Sequence, residues 1–219
     1  MINKKEIDTI LENLPSETKL VAVSKFKSNE SILAAYNYGL RDFGENRPQE
    51  LSLKMEEIPN EDIKWHFIGH LQRNKIKMII DKVYLIHSID SEKLLAAVNK
   101  EAAKRDIIVN CLLQLYIAKE DSKQGFSQEE LEQVVENLSK YPNVRVCGLM
   151  GMASFTQDKN VVAAEFVKLK ETFCSLKQSV FVNDVNFKEL SMGMSSDYHI
   201  AIEHGSTLVR IGSLVFGSR

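Results

Sequence analysis

The sequence predicts an α/β fold: a single (β/α)8, TIM-type barrel in which eight parallel strands close on themselves inside a layer of helices. Three observations predict it. Eight short apolar runs rich in β-forming residues recur at 20–23, 42–44, 65–68, 83–86, 107–117, 144–149, 189–192 and 207–211. Segments with helical spacing lie between them, and such alternation with short connections implies parallel strands joined by right-handed crossovers. A chain of 219 residues holds one barrel core, and eight repeats in that length favour closure over an open sheet. No GxGxxG follows the first run and no GxxxxGK[ST] occurs, which argues against a doubly wound nucleotide-binding sheet.

The first run, Leu20-Val21-Ala22-Val23, is wholly apolar, as a strand buried on both faces requires. It gives way to Ser24-Lys25-Phe26-Lys27, which sets an amine at the C-terminal end of a strand, the functional face of a barrel. A lysine there loses hydration, and its neutral amine can attack an aldehyde; a lysine snorkelling to seal the barrel end explains the same position. Lys27 shares the parity of Lys25 but lies further into the loop. The second run passes through Phe43-Gly44-Glu45 to Asn46-Arg47-Pro48, where Asn46 suits a helix N-cap and Pro48 a first helical turn. An amide at the mouth equally suits a ligand's phenolic oxygen. The third and fourth runs carry His66 and His87, for which a hydrogen-bonded place in the core is the default reading.

A helix over 91–105 turns Leu94, Leu95 and Val98 inward, and one over 129–138 does the same with Leu131, Val134, Val135 and Leu138. Tyr116 stands at the end of the fifth run, and the sixth leads into Met150-Gly151-Met152, where the methionines read as adaptable packing, as do Met192 and Met194. After the seventh run, Ser195 and Ser196 precede a helix-like segment; they suit N-caps, or hydroxyls that face an anion beside its N–H groups. The eighth run ends in Gly212-Ser213, where barrels bind phosphate through backbone N–H groups that a side chain would block; a glycine that merely turns the chain serves as well. Arg210 has the parity of Gly212 and points inward, where it needs an acceptor: a ligand's ring nitrogen or, as the sequence alone favours, a salt bridge inside the barrel.

Composition bounds the function. Apolar residues make up 44% and charged residues 26%, and the four prolines and ten glycines are too scattered to mark a linker, so the chain reads as one ordered domain, 1–219. A net charge of −2 with no basic block argues against nucleic acid. Cys111, Cys147 and Cys174 are odd in number and far apart, without CxxC or zinc spacing, which points to a reduced, cytoplasmic protein with no metal site. The N-terminus lacks a signal-peptide core, and no run approaches the roughly 20 apolar residues of a membrane helix.

Taken together, Val21-Ala22-Val23-Ser24-Lys25, Phe43-Gly44-Glu45-Asn46, Trp65-His66-Phe67-Ile68-Gly69 with Leu71-Gln72-Arg73-Asn74-Lys75, Ser191-Met192-Gly193-Met194-Ser195 and Gly205-Ser206-Thr207-Leu208-Val209-Arg210-Ile211-Gly212 resemble the pyridoxal-phosphate homeostasis family (YggS/PROSC type). The blocks span nearly the whole chain in the family's order. The resemblance implies a barrel like the N-terminal domain of alanine racemase, with an extra N-terminal helix, and pyridoxal 5′-phosphate (PLP) bound to Lys25 as a Schiff base. It further implies that Gly212 and Ser213, with a serine of the pair Ser195 and Ser196, grip the phosphate, that Arg210 faces the pyridine nitrogen and that Asn46 lies near the ring. A guanidinium does not give up a full proton, so the ring stays a weak electron sink and carbanion chemistry is restrained. Two residues depart from the family: Tyr116 stands where asparagine is common and Pro48 where valine is common, whereas Ser213 keeps a hydroxyl often supplied by threonine.

The resemblance favours a non-catalytic PLP carrier in vitamin B6 homeostasis, with no catalytic residue, passing cofactor to apo PLP-dependent enzymes. Alanine racemase adds a second domain with a catalytic tyrosine and much of the dimer contact, while this sequence ends just past its eighth strand, which leans towards a monomer. The alternative is a racemase-like enzyme using Lys25 as one base and Tyr116 or His87 as the other. A phosphate-sugar isomerase on the same barrel is a third reading, because fold alone does not select a chemistry.

Overall fold

The structure, a computed structural model, describes residues 2–118 and 124–217. Eight parallel strands form a closed barrel in sequence order: β1 Lys19–Val23, β2 Asp42–Glu45, β3 Lys64–Phe67, β4 Leu85–Ile89, β5 Val109–Gln114, β6 Val144–Met150, β7 Glu189–Met194 and β8 Leu208–Ile211. Closure rests on the β1–β8 ladder, which sets Val21 opposite Arg210 and Ala22 opposite Ile211. The period-2 alternation of strand side chains then separates two cores. Val21, Leu85, Leu112, Cys147, Met150 and Leu208 fill the barrel itself, while Leu20, Ala22, Phe43, Trp65 and Phe67 face the helices.

Those helices are α1 Lys4–Asn13, α2 Asn29–Asn37, α3 Pro48–Glu57, α4 Glu92–Ala103, α5 Gln128–Glu136, α6 Lys159–Gln178, α7 Tyr198–Glu203 and α8 Ser213–Phe216. The helix α1 precedes the first strand, as the family resemblance implied, and docks on α8 through a bond from Asn3 N–H to the Val215 carbonyl (2.8 Å). Ser91 caps α4, and Ser127 closes a capping box with Glu130 at the start of α5, so each helix begins one residue away from its sequence-based boundary.

Three features differ from the sequence expectation, the simplest being that the fifth strand, Val109–Gln114, is shorter than the run 107–117. Among the described residues the β3–β4 crossover carries a 3-10 helix, Arg73–Met78, in place of an α-helix. The fourth strand is Leu85–Ile89, not 83–86, because it runs on through His87 and Ser88. Polar residues in a wholly buried strand read as its end, but both are satisfied inside: His87 by other side chains and Ser88 by the Gly69 carbonyl.

Candidate functional site

The C-terminal ends of β7, β8, β1 and β2 are contiguous around the barrel, and they bring the sequence-selected residues to one side of the mouth. Lys25 lies in the turn after β1, half-buried, on the inward parity of Val21 and Val23. It makes no hydrogen bond or ion pair among the described residues, although the turn that carries it is held on both sides. Ser24 donates to Glu45 Oε1 (2.5 Å), the Phe26 N–H donates to Glu50 Oε1 (2.7 Å), and Lys27 Nζ donates to the carbonyls of Phe216 (3.2 Å) and Gly217 (3.1 Å). Phe26 takes a left-handed backbone (φ 62°), which is uncommon outside glycine and completes the tight reversal.

Under this turn sits an ion pair that the sequence reading missed. Lys54 Nζ, on a residue only 5% exposed, bonds Glu45 Oε1 (2.8 Å), Glu50 Oε1 (2.6 Å) and the Ser24 carbonyl (3.0 Å). One ammonium thus ties β1, β2 and α3 together at the turn. Burial pushes the Glu45 carboxyl upward, against the opposing pull of the Lys54 charge. Burial prevails because Glu45 is wholly enclosed and its Oε2 has no partner. A lysine four residues after Glu50 reads as a solvated helix pair, so the sequence carried no signal of its burial.

Asn46 does not cap α3. Arg47 takes the N-cap position without a side-chain bond, and Pro48 opens the helix as expected. The Asn46 Oδ1 is instead buried with no hydrogen-bond partner, an acceptor left unused at the mouth. Gly69, the second residue after β3, presses against it: a Cβ there would lie 2.2 Å from the Asn46 carbonyl oxygen and 2.7 Å from its Cα. Gly69→Ala is therefore expected to displace Asn46 and lower stability by about 1–3 kcal/mol, the usual range for overpacking, as read by denaturant unfolding.

Ser195 and Ser196 do not cap α7 either. Asp197 takes that position, yet its carboxylate turns back to accept from the Met194 N–H (2.6 Å) and leaves both serines in the turn it closes. Ser195 Oγ reaches the Gly212 N–H at 3.4 Å. Gly212 itself backs onto β1: a Cβ there would stand 3.0 Å from the Val23 carbonyl oxygen and 3.2 Å from Val23 Cβ. Beyond it, the N–H groups of Ser213 and Leu214 open α8 without partners among the described residues. The result is a rim of N–H and hydroxyl groups at the ends of β7 and β8, next around the barrel to the end of β1 that carries Lys25.

Arg210 is 4% exposed and donates to Ser191 Oγ (2.5 Å) and to the Gly151 carbonyl (3.1 Å). The expected salt bridge is absent among the described residues: both acceptors are neutral. Burial lowers the guanidinium to about 10, still far above neutral pH, so it stays charged. His66 and His87 are both buried, as expected of core histidines. Met150 and Met192 are packed inside, whereas Met152 and Met194 are exposed. A cavity of about 590 Å³ lies apart from these residues, lined by His70, Arg73, Asp90 and Lys93 among others. Among the described residues no cluster of His, Cys, Asp or Glu could hold a metal, and no helix is long and apolar enough to cross a membrane.

Comparison with known proteins decides the family. Residues 3–219 match the family described as "Alanine racemase, N-terminal domain". The "Pyridoxal phosphate homeostasis protein" of Aquifex aeolicus is 41% identical over 201 residues, covering 92% of this chain and 87% of that protein. The chain belongs to the pyridoxal phosphate homeostasis family. Among solved structures, PipY of Synechococcus elongatus PCC7942, with PLP bound, superposes with a TM-score of 0.88 at 31% identity, covering 98% of this chain and 99% of that one. Alanine racemase of Clostridium difficile 630 superposes with a TM-score of 0.77 at 12% identity, over 96% of this chain and 54% of that one, a likeness of fold alone. The family's barrel, with its helix before the first strand, is the fold found here.

Proposed function

We propose that residues 1–219 form one PLP-binding domain that carries the cofactor on Lys25 for intracellular PLP homeostasis, without catalytic turnover. The observation that carries this reading is the amine of Lys25, without a partner among the described residues, on a turn hydrogen-bonded from both sides, with N–H groups and a buried amide oxygen that are likewise unpaired among the described residues at the same end of the barrel. When bound, PLP supplies an aldehyde that condenses reversibly with a primary amine and releases water. The residues present fit that group. Gly212 lets the turn after β8 close onto β1, the N–H groups of Ser213 and Leu214 with the hydroxyls of Ser195, Ser196 and Ser213 are donors for a phosphate, and Asn46 Oδ1 offers an acceptor for the phenolic group. PipY, a member with 31% identity, has been solved with PLP bound, which supports the same cofactor here.

Arg210 would meet the pyridine nitrogen as a donor that keeps its proton, so electron withdrawal through the ring stays weak. That restrains proton abstraction next to a bound amine. His87, one of the two residues considered as an opposite-face base, is buried with both ring nitrogens engaged and has no route to a substrate. Incubation of the PLP-loaded protein with single amino acids in deuterated water is expected to leave the α-carbon unlabelled and its chirality intact; deuterium at that carbon would establish the racemase reading. The same proposal has the protein act as a cytoplasmic monomer that hands PLP to apo-enzymes.

A further inference from the structure

A file of polar side chains crosses the barrel from the N-terminal end of β2 to Arg210. Asp42 Oδ1 lies 3.0 Å from His66 Nε2, His66 Nδ1 lies 2.8 Å from His87 Nε2, His87 Nδ1 lies 2.9 Å from Ser191 Oγ, and Ser191 Oγ lies 2.5 Å from an Arg210 terminal nitrogen. The five residues come from β2, β3, β4, β7 and β8, and all but Asp42 are buried. Their order of donation follows by elimination. Arg210 only donates, so Ser191 Oγ accepts from it. The Ser191 proton then needs an acceptor, and within the file that is His87 Nδ1. His87 therefore carries its proton on Nε2 and donates to His66 Nδ1; His66 in turn carries its proton on Nε2 and donates to Asp42. Running the file backwards would require a protonated Asp42 and would leave the buried Ser191 hydroxyl with no acceptor in the file. Every bond is satisfied in one direction only, with both histidines neutral.

We infer that His66, His87 and Ser191 are positioning residues that hold the Arg210 guanidinium in one place and one charge state for the cofactor ring, through a relay whose far end is the Asp42 carboxylate. This rests on the PLP reading of the site. The guanidinium is buried with two neutral hydrogen-bond acceptors, and the carboxylate charge that opposes its burial is that of Asp197, which makes no direct bond to it. Hydrogen bonds in a chain polarise one another, so the Asp42 charge acts on Arg210 through the relay without touching it. Burial, the largest cause, and the nearby Arg210 charge hold His87 well below the ordinary histidine range, as a neutral link requires. The bonds to Ser191 and to the Gly151 carbonyl hold both terminal nitrogens of the guanidinium inside the barrel, which leaves only its other N–H groups to be directed elsewhere.

The test has two arms. In the cofactor-free protein, nitrogen-15 NMR of the histidine side chains at neutral pH is expected to show His66 and His87 as neutral Nε2–H tautomers. An imidazolium or an Nδ1–H tautomer at either residue overturns the relay, whether or not PLP binds. In the PLP-loaded protein, Ser191→Ala is expected to speed PLP release on the order of tenfold and to shift the visible absorbance of the bound cofactor. Asp42→Asn keeps the bond to His66 but removes the charge, and is expected to shift the absorbance in the same sense with a smaller change in release. Wild-type spectra and release rates in both variants overturn the inference and leave the PLP reading standing. Failure of the wild-type protein to hold PLP, with the expected tautomers present, would remove the PLP reading alone.

Discussion

Replacing Lys54 with methionine is expected to lower the unfolding free energy by about 3–5 kcal/mol, the range for removing one partner of a buried ion pair. The cost does not come from lost packing, since methionine has similar length. It comes from Glu45, fully enclosed and already pushed towards protonation, losing the ammonium that offsets its burial, while the Ser24 carbonyl and Glu50 lose the same donor. Removing both charges with Glu45→Gln and Lys54→Met is expected to recover part of the loss, because an apolar or neutral pair leaves no uncompensated ion. Urea unfolding of the three variants measures this. If Lys54→Met unfolds within about 0.5 kcal/mol of the parent, in the range of ordinary surface substitutions, the pair does not organise the Lys25 turn.

Stability is also expected to fall as the pH drops below 6.5, with a slope from His87 alone that grows from about 0.7 kcal/mol per pH unit at 6.5 towards a limit of about 1.4. The folded-state value is depressed, so just below 6.5 the unfolded chain binds a proton that the folded chain refuses, and stability rises with pH across that window. Glu45 and Asp197, whose carboxyls are raised by burial, act with the opposite sign nearer to the ordinary carboxylate range, so the slope is read immediately below 6.5. The same measurement on His87→Gln, which cannot titrate, is expected to give a shallower curve. An equal slope in both proteins would mean that His87 is not the group responsible.

The barrel is legible in the sequence because its information is local. Eight apolar runs alternate with helical segments, and strand parity by itself puts Lys25 and Arg210 on the inward side. What is not legible depends on which side chains meet across the barrel. His66 and His87 each read as a core histidine, but their junction, and the link onward to Ser191 on β7, is set by strand tilt and closure, not by spacing along the chain. Arg210 reads as one half of a salt bridge, because sequence cannot show that its acceptors are a hydroxyl and a carbonyl. Ser195, Ser196 and Asn46 are residue types that cap helices, yet Asp197 and Arg47 hold those positions. The cap rules describe preferences of a residue type, whereas here the chain path at the mouth leaves the three polar side chains available to a ligand. Lys54 escapes a sequence reading altogether, since a lysine among glutamates on a helix gives no sign that the helix buries it.

The measurement that tests the central claim most directly is peptide mapping of the protein after addition of PLP and reduction with borohydride, with Lys25→Ala alongside. The account predicts one pyridoxyl group per chain, on the peptide containing Lys25, and none at stoichiometric level in Lys25→Ala. A pyridoxyl group spread over exposed lysines, or one retained in full by Lys25→Ala, would contradict it.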